Sequence, residues 1–464
     1  MPDTGGTTTL YARQALLTDG WADNVAVEID NRGLISSIKT DLDNAPQGAE
    51  VLDGTLLPGI QNCHSHAFQR AITGLTEQRL NPEDSFWSWR DTMYRMLGKI
   101  GPEELQAIAG QLYLDMLKQG YTGVAEFHYL HHGCDGSHYS NRAEMSHRVI
   151  TAARTVGIHI THLPVLYCFS DFGSKPPEDS QRRFVHSLDG FQQLLATLHR
   201  DYKNDPNVQL GIAPHSLRAV DKTMLEGLIR CQDELDNKAP IHIHIAEQQR
   251  EVQACLDFCG QRPVQWLLDN FDVNSRWCLI HATHLQTSEV ESLANSAAVA
   301  GLCPTTEANL GDGLFPAVDY LQRGGAFAVG SDSQVCVSPA EELRLLEYGQ
   351  RLQQQRRTLL ANDQQPSVGE NLLRGALRGG SAALGINAGA IATGKRADLI
   401  MLDDQHPALY GKRSSSLLDS WIFASNENPV KDVMVNGQWL VRNGCHNQQA
   451  VIAARFRTAM DAIL

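Results

Sequence analysis

Two histidines stand two residues apart in the segment GIQNCHSHAFQR, directly after an apolar run. Side chains at this spacing share a face on a strand but not on a helix, so His64 and His66 can bind one common ligand only on a strand. Imidazole is the commonest metal ligand among protein side chains. The spacing therefore suggests half of a metal site, whose other ligands must come from elsewhere in the chain.

Later apolar segments also end in histidines or acids. The residues in question are His215 in VQLGIAPH, His244 and Glu247 in PIHIHIAE, His281 in RWCLIHA and Asp332 in GAFAVGSD. Three imidazoles and one carboxylate form a ligand set suited to a single Zn²⁺ that keeps one position for water. Any one of these histidines alone is more simply a hydrogen-bonded core or loop residue, but that explanation does not account for the whole set.

The chemistry suited to such a set is hydrolysis of a carbon–nitrogen bond. Zn²⁺ lowers the pKa of bound water to about 7, and water attacks a planar carbon that bears nitrogen. The nitrogen must leave with a proton, and Glu247 is placed to carry it, although an acid also suits the start of the helical segment IAEQQREVQ. Asp332 could accept the proton of the water. The sequence leaves open whether Asp332 or His281 is the base.

The elements that must position these residues alternate in type. Eight short apolar segments alternate with helical patterns between residue 58 and about residue 335. This alternation predicts a parallel sheet, and eight repeats predict a closed (β/α)₈ TIM barrel, whose functional residues lie at the carboxyl ends of the strands. Both chain ends instead predict short strands. We expect residues 58–385 to form the catalytic barrel, with a small β-sandwich domain built from residues 1–57 and 386–464.

The composition indicates a folded enzyme and argues against some kinds of binding partner. The chain of 464 residues is 42% hydrophobic and 20% charged, a balance typical of a folded enzyme. Its net charge of -14 argues against a general affinity for nucleic acid or anionic membranes. Ten scattered cysteines without a CxxC pair, and no export signal or long apolar run, predict a cytoplasmic protein.

Several motifs resemble the mononuclear deaminase branch of the amidohydrolase superfamily. They are PGIQNCHSH, HIHIAEQ, the strand-ending His281, GSD at 330–332 and the closing segment GAIATGKRADLIMLD, so the resemblance covers nearly the whole chain. It implies one divalent metal ion per subunit, Zn²⁺, held by His64, His66, His244 and Asp332, with Glu247, His281 and Asp332 as catalytic groups. His242 competes with His244 for the ligand position but lies deeper on the strand and lacks the spacing to Glu247.

A second set of residues concerns the substrate. Two arginines, a phenol and an imidazole would suit a small dicarboxylate, because guanidinium groups bind carboxylates through two parallel hydrogen bonds. The contexts HAFQR and APHSLR resemble the formimidoylglutamate deiminase family, which converts N-formimidoyl-L-glutamate and water to N-formyl-L-glutamate and ammonia in histidine degradation. The resemblance implies a homodimer in which substrate is bound by Gln69, Arg90, Tyr129, His215 and Arg218.

Two other functions remain compatible with the sequence. A deaminase of a purine, a pyrimidine or an S-adenosylhomocysteine-like substrate would use the same metal chemistry and could stack a ring on Trp87 and Trp89. A non-catalytic barrel that serves as an interaction scaffold is the other alternative. The complete set of candidate ligands argues against a scaffold, which does not need one.

Overall fold

The computed structural model of the chain describes residues 7–77 and 86–464. Within them the strands are β1 Thr8–Leu17, β2 Gly20–Ile29, β3 Ile35–Lys39, β4 Glu50–Val51, β5 Thr55–Pro58, β6 Ile60–Ser65, β7 Tyr121–His128, β8 His159–Leu166, β9 Val208–Leu210, β10 Ala213–Pro214, β11 Ile241–Ile245, β12 Trp277–His281, β13 Val299–Leu302, β14 Ala326–Val329, β15 Leu399–Leu402, β16 Val430–Val435, β17 Gln438–Arg442 and β18 Cys445–His446.

From β6 to β14, one or two helices follow most of the strands. The helices are α1 Phe86–Leu97, α2 Pro102–Lys118, α3 Glu144–Val156, α4 Leu188–Tyr202, α5 Lys222–Leu235, α6 Gln249–Cys259, α7 Pro263–Asn270, α8 Thr287–Asn295, α9 Pro304–Leu310, α10 Ala317–Gln322, α11 Pro339–Gln354, α12 Val368–Leu384, α13 Ser415–Ala424 and α14 Gln449–Ile463. Short 3₁₀ helices span Ala67–Ile72 and Asp179–Gln181. None of the helices described is long and apolar enough to cross a membrane.

Local signals set the ends of several helices. The side chain of Ser187 accepts the N–H of Gly190 at the start of α4, and Asp221 caps α5 in the same way. These contacts satisfy N–H groups that have no partner inside the helix. Helix α3 ends where Gly157 takes a φ of 90°, a conformation that glycine adopts without steric cost. The helices are therefore bounded as their sequences favour.

Strands from the two chain ends join in one nine-stranded sheet. Its order is β18-β17-β16-β15-β5-β1-β2-β3, with β4 also paired to β1. The joint is the antiparallel pair of β5 and β15, which sets Leu56 opposite Met401. This sheet has an apolar core of its own, which includes Leu10, Val25, Leu56, Leu399 and Met434. The two ends thus meet as expected, whereas the two-layered sandwich is not confirmed.

The central part of the chain is a mixed α/β structure with parallel sheets. Strands β6 to β10 form one sheet and β11 to β14 form another, all in parallel pairs. Isolated bridges join the two sheets on both sides and pair Ile212 with Ile241 and Ser65 with Asp332. The strands therefore follow one another around a ring, in which β9 and β10 share the fourth position. This arrangement is consistent with the predicted (β/α)₈ barrel.

Parallel strands bring their carboxyl ends to one face of such a ring. Strand β6 ends at Ser65, between the paired histidines, and β12 ends at His281. His244 is the penultimate residue of β11, and Asp332 follows β14 by three residues. The chemically interesting residues are therefore carried by different strands to the same face.

Candidate active site

Three imidazoles and one carboxylate converge at this face. The Nε2 atom of His64 lies 3.1 Å from that of His66 and 3.0 Å from that of His244. One Asp332 oxygen, Oδ1, lies 3.5 Å from His64 Nε2 and 3.4 Å from His66 Nε2. Ligands around a tetrahedral zinc ion with bonds of about 2.0–2.1 Å lie roughly 3.4 Å apart. The donor atoms of His64, His66 and Asp332 therefore form one compact group with a spacing close to that of zinc ligands, and the His244 imidazole adjoins this group through His64.

Backbone hydrogen bonds hold the elements that carry this cluster. The Asp332 N–H donates to the His64 carbonyl at 3.0 Å, and the His66 N–H donates to the Asp332 carbonyl at 3.2 Å. The His244 N–H donates to the carbonyl of His215 at 3.1 Å. The end of β6, the segment after β14 and the end of β11 are thereby fixed relative to neighbouring backbone.

The ring orientation and charge of the histidines suit metal binding. The Nδ1 atom of His66 donates to the carbonyl of Phe127 at 2.8 Å, which leaves the Nε2 lone pair directed at the cluster. Burial lowers the pKa of His66 to about 3. Burial also holds the pKa values of His64 and His244 well below the usual range. All three imidazoles are therefore neutral near pH 7, the form that binds a metal ion.

The two histidines of β11 have different partners. The Nε2 atom of His242 donates to the carbonyl of Ala383 at 2.7 Å, deep in the barrel. Two further groups of possible ligand atoms lie within 4.8 Å of one another, His64 with His244 and His281, and His281 with Cys303 and Asp332. Burial holds the pKa of the Cys303 thiol well above its usual range.

The three predicted catalytic groups surround one point beside the cluster. The Nε2 atom of His281 lies 3.8 Å from Glu247 Oε1 and 3.7 Å from Asp332 Oδ2. Burial opposes a charge on His281, but the carboxylates of Glu247, Glu307 and Asp332 outweigh it and raise the pKa of His281 well above its usual range. Burial raises the pKa of Asp332 to about 7. The arrangement can therefore hold and pass protons.

Two of the three predicted catalytic residues have a strained backbone conformation. His281 has a φ of 68° and Asp332 a φ of 43°, in the left-handed region that residues other than glycine rarely adopt. Such conformations cost of order 1–3 kcal/mol each and concentrate at functional sites. The surrounding packing therefore holds both side chains in positions that the isolated backbone would not favour.

The five predicted substrate-binding residues line the same cavity as the catalytic groups. Its lining includes Gln69, Arg90, Tyr129, His215 and Arg218 together with His66, His244, Glu247, His281 and Asp332. The Nε2 atom of Gln69 donates to the Tyr129 hydroxyl at 3.1 Å. Burial opposes the charge of Arg218, but Glu251, Tyr167, Glu247 and Tyr94 together outweigh it and raise the pKa of this guanidinium. The cavity thus combines the metal-type cluster with two cationic side chains.

Several residues of the site were not predicted from the sequence. The carboxylate of Glu126 accepts the Ser65 hydroxyl and the Ala67 N–H, each at 2.7 Å, and so braces the turn that carries His66. Burial raises the pKa of Glu126 to about 7. The available signal was an acid inside the apolar segment TGVAEFHY. The cavity lining also includes Trp89, Met93, Tyr94, Tyr167 and Phe184, whereas the side chain of Trp87 lies outside the described part of the structure.

Two family models match the chain and together span most of it. The model described as Amidohydrolase family matches residues 55–440. The model described as Formimidoylglutamate deiminase HutF, N-terminal domain, matches residues 7–53. The two matches are adjacent and cover the ring of parallel strands and much of the terminal sheet.

Individual proteins agree with these models. A formimidoylglutamate deiminase from Pseudomonas aeruginosa is 48% identical over 456 residues, which cover 98% of this chain and 99% of the relative. An amidohydrolase structure from Brucella melitensis is 43% identical with a TM-score of 0.93, and the match covers 98% of this chain and 99% of that one. An adenosine deaminase from Xanthomonas campestris with bound zinc, 22% identical with a TM-score of 0.81 over 98% of both chains, shares the fold. The chain belongs to the formimidoylglutamate deiminase family, within the amidohydrolases.

Proposed function

We propose that this chain hydrolyses N-formimidoyl-L-glutamate to N-formyl-L-glutamate and ammonia, with one Zn²⁺ ion per subunit. The observation that carries the proposal is the cavity itself, which holds a His–Asp cluster and two arginines together. Hydrolytic deamination needs the cluster, and a substrate with two carboxylates needs the arginines. Membership of the family supports the same substrate.

The metal would be held by His64, His66, His244 and Asp332, a set supported by the donor atoms of the other three, which lie 3.1 Å, 3.0 Å and 3.5 Å from His64 Nε2. When bound, it would act as a Lewis acid and lower the pKa of water beside it. Three nitrogens and one oxygen form a set that suits zinc. A single ion is further supported by the sequences of β8, β9 and β10, which contain no lysine that could bridge two ions after carboxylation.

The substrate would be held by its carboxylates. Arg90 and Arg218 supply planar guanidinium groups, each able to donate two parallel hydrogen bonds to a carboxylate. The Tyr129 hydroxyl, positioned by Gln69, and the imidazole of His215 supply further polar contacts within the same cavity. These contacts would place the formimidoyl carbon near Glu247 and His281.

The reaction needs two proton movements, for which the carboxylates are suited. Water adds to the formimidoyl carbon, and its proton passes to a carboxylate, for which Asp332 and Glu247 are both in place. Glu247 passes this proton to the imine nitrogen, which becomes an amino group. The second hydrogen of the former water then passes through the carboxylates to the same nitrogen, the carbonyl forms, the carbon–nitrogen bond breaks, and ammonia leaves. A protonated His281 between the two carboxylates would stabilise negative charge on the attacking oxygen. The products are ammonia and the N-formyl compound.

The direct test of this function is ammonia release by the zinc-loaded protein. We expect release from N-formimidoyl-L-glutamate and none above background from adenosine or guanine, because the arginines suit carboxylates rather than a neutral ring. A coupled assay for ammonia measures all three under one condition. Release only from a ring substrate would replace this proposal with the deaminase alternative, which the position of Trp89 in the cavity lining keeps open.

A paired substitution on one strand tests the ligand assignment. We expect His244→Asn to lower metal affinity by more than about 100-fold, beyond what loss of a supporting contact causes. His242→Asn is the matched control, because His242 contacts the Ala383 carbonyl instead of the cluster. Metal-to-protein ratios after dialysis against a chelator measure both variants. Equal metal loss in the two variants would contradict the assignment of His244.

The remaining proposals concern the domain boundaries, the oligomeric state, the cellular location and the pathway. We place the catalytic barrel at residues 58–385, supported by the change from the terminal sheet at β5 to the parallel strands at β6. We place the enzyme in the cytoplasm as a homodimer acting in histidine degradation. All ten cysteines, which lie within the described residues, are unpaired, as expected for a reducing compartment.

A further inference from the structure

His281 has a second carboxylate partner, on the side of the ring that faces away from the other catalytic groups. Its Nδ1 atom lies 3.3 Å from Oε1 of Glu307, whereas its Nε2 atom is directed at Glu247 and Asp332. Glu307 is 4% exposed and His281 is 1% exposed, so water does not compete effectively for this contact. Each nitrogen of the imidazole thus faces acidic groups.

Glu307 is itself held in place by the backbone. It lies in α9, and the same Oε1 atom accepts the N–H of Cys303 at 2.9 Å, immediately before the helix begins. A carboxylate oxygen can only accept from these neighbours, so Nδ1 of His281 must carry a hydrogen to complete the contact. The proton on Nδ1 fixes which nitrogen is left to face the reacting atoms.

We propose that Glu307 is a positioning residue for the hydrolysis, which holds His281 with Nδ1 protonated and Nε2 turned toward the reacting water and carbon. This inference rests on the proposed function, because it assigns a role within that reaction. The physical reason is that a ring confined by one fixed contact keeps its orientation without reorganising during the reaction. The left-handed backbone at His281, with a φ of 68°, makes such an external restraint more necessary.

The competing explanation is purely structural, since Glu307 also supports the start of α9. Two substitutions separate the two roles. Glu307→Gln can keep an oxygen for both N–H groups and removes only the charge, whereas Glu307→Ala removes both contacts. We expect kcat to fall about 10-fold for Glu307→Gln and about 100-fold for Glu307→Ala, the range found for groups that orient catalytic or ligating histidines. KM and metal content should stay close to those of the unmodified chain.

A double-substitution cycle distinguishes a role through His281 from a purely structural role, because only the former makes the loss of kcat depend on His281. If Glu307 acts through His281, Glu307→Ala should change kcat by less than about twofold when added to His281→Asn. An equal loss of kcat in both backgrounds would overturn the inference. A rise in KM with unchanged kcat, or loss of metal from Glu307→Gln, would also overturn it.

Glu342 provides the matched control. This buried carboxylate also anchors α9, through the N–H and hydroxyl of Thr305 at 2.9 Å and 2.6 Å. We expect Glu342→Gln to leave kcat within about twofold of the unmodified chain, because this carboxylate hydrogen-bonds Thr305 and the amide keeps an oxygen for that contact. A chain without ammonia release from N-formimidoyl-L-glutamate would overturn the proposed function and this inference with it. An active chain whose Glu307→Ala variant keeps its kcat overturns this inference alone.

Discussion

Replacement of Glu247 by glutamine is expected to lower kcat by about 10³-fold, within the range that a positioned general acid or base contributes. Glutamine keeps nearly the same shape but cannot accept a proton from water or return it to a departing amine. Glu247 lies 3.8 Å from His281 Nε2 and is not among the four proposed ligands, so metal content and KM should change little. Steady-state ammonia release and metal analysis of the same preparation measure these quantities.

The control for Glu247→Gln lies on the helix that follows. Asp257→Asn removes a carboxylate from the exposed face of α6, away from the cavity, and should leave kcat unchanged. A Glu247→Gln variant with near-normal kcat would mean that another group, with Asp332 the first candidate, carries protons in both directions. Loss of metal instead would place Glu247 among the ligands.

Replacement of Arg218 by alanine is expected to raise KM for N-formimidoyl-L-glutamate about 100-fold and to leave metal content unchanged. Truncating one partner of a buried charge pair costs about 2–5 kcal/mol, and about 2.8 kcal/mol, in the lower half of that range, corresponds to a factor of this size. The loss should fall on KM, because the guanidinium would hold the carboxylate equally in the ground state and the transition state. Substrate-saturation curves for ammonia release measure it.

Two further arginine variants test whether the change in KM is specific to the guanidinium group of Arg218. Arg218→Lys keeps a positive charge but loses the planar pair of donors, so its KM should rise by about 10-fold, between those of the parent and the alanine variant. Arg230→Ala removes an exposed arginine from α5, on the chain segment after Arg218, and should have no effect on KM. A fall in kcat alone, or loss of metal, would show that Arg218 does not bind the substrate carboxylate.

Much of the site was predictable because its signals are local. The spacing of His64 and His66 on a strand places both on one face, and each strand-ending histidine or acid follows from the alternation of apolar segments and helices. The residues Gln69, Arg90, Tyr129, His215 and Arg218 were singled out by composition and resemblance, and all of them line the cavity. Their individual roles stay predictions until the variants are measured.

Other features depend on contacts between distant segments. Glu126 contacts the turn after β6 across 61 and 59 residues, and Glu307 contacts His281 across 26 residues. Nothing in the local sequence around either acid specifies these partners. The contact of His242 with the Ala383 carbonyl, 141 residues away, likewise has no signal in the local sequence.

The sequence by itself determined the residue types that carry the chemistry and the alternation of strands and helices, since both depend on side-chain identity and short-range periodicity. Only the tertiary structure decided how the two parallel sheets meet, which imidazole nitrogen faces the cluster, and which buried carboxylates contact the predicted catalytic residues. The terminal strands show the same division, because their pattern predicted strands but not that they form one nine-stranded sheet. The physical reason is that hydrogen-bond partners, burial and the resulting protonation states arise from segments far apart in the chain.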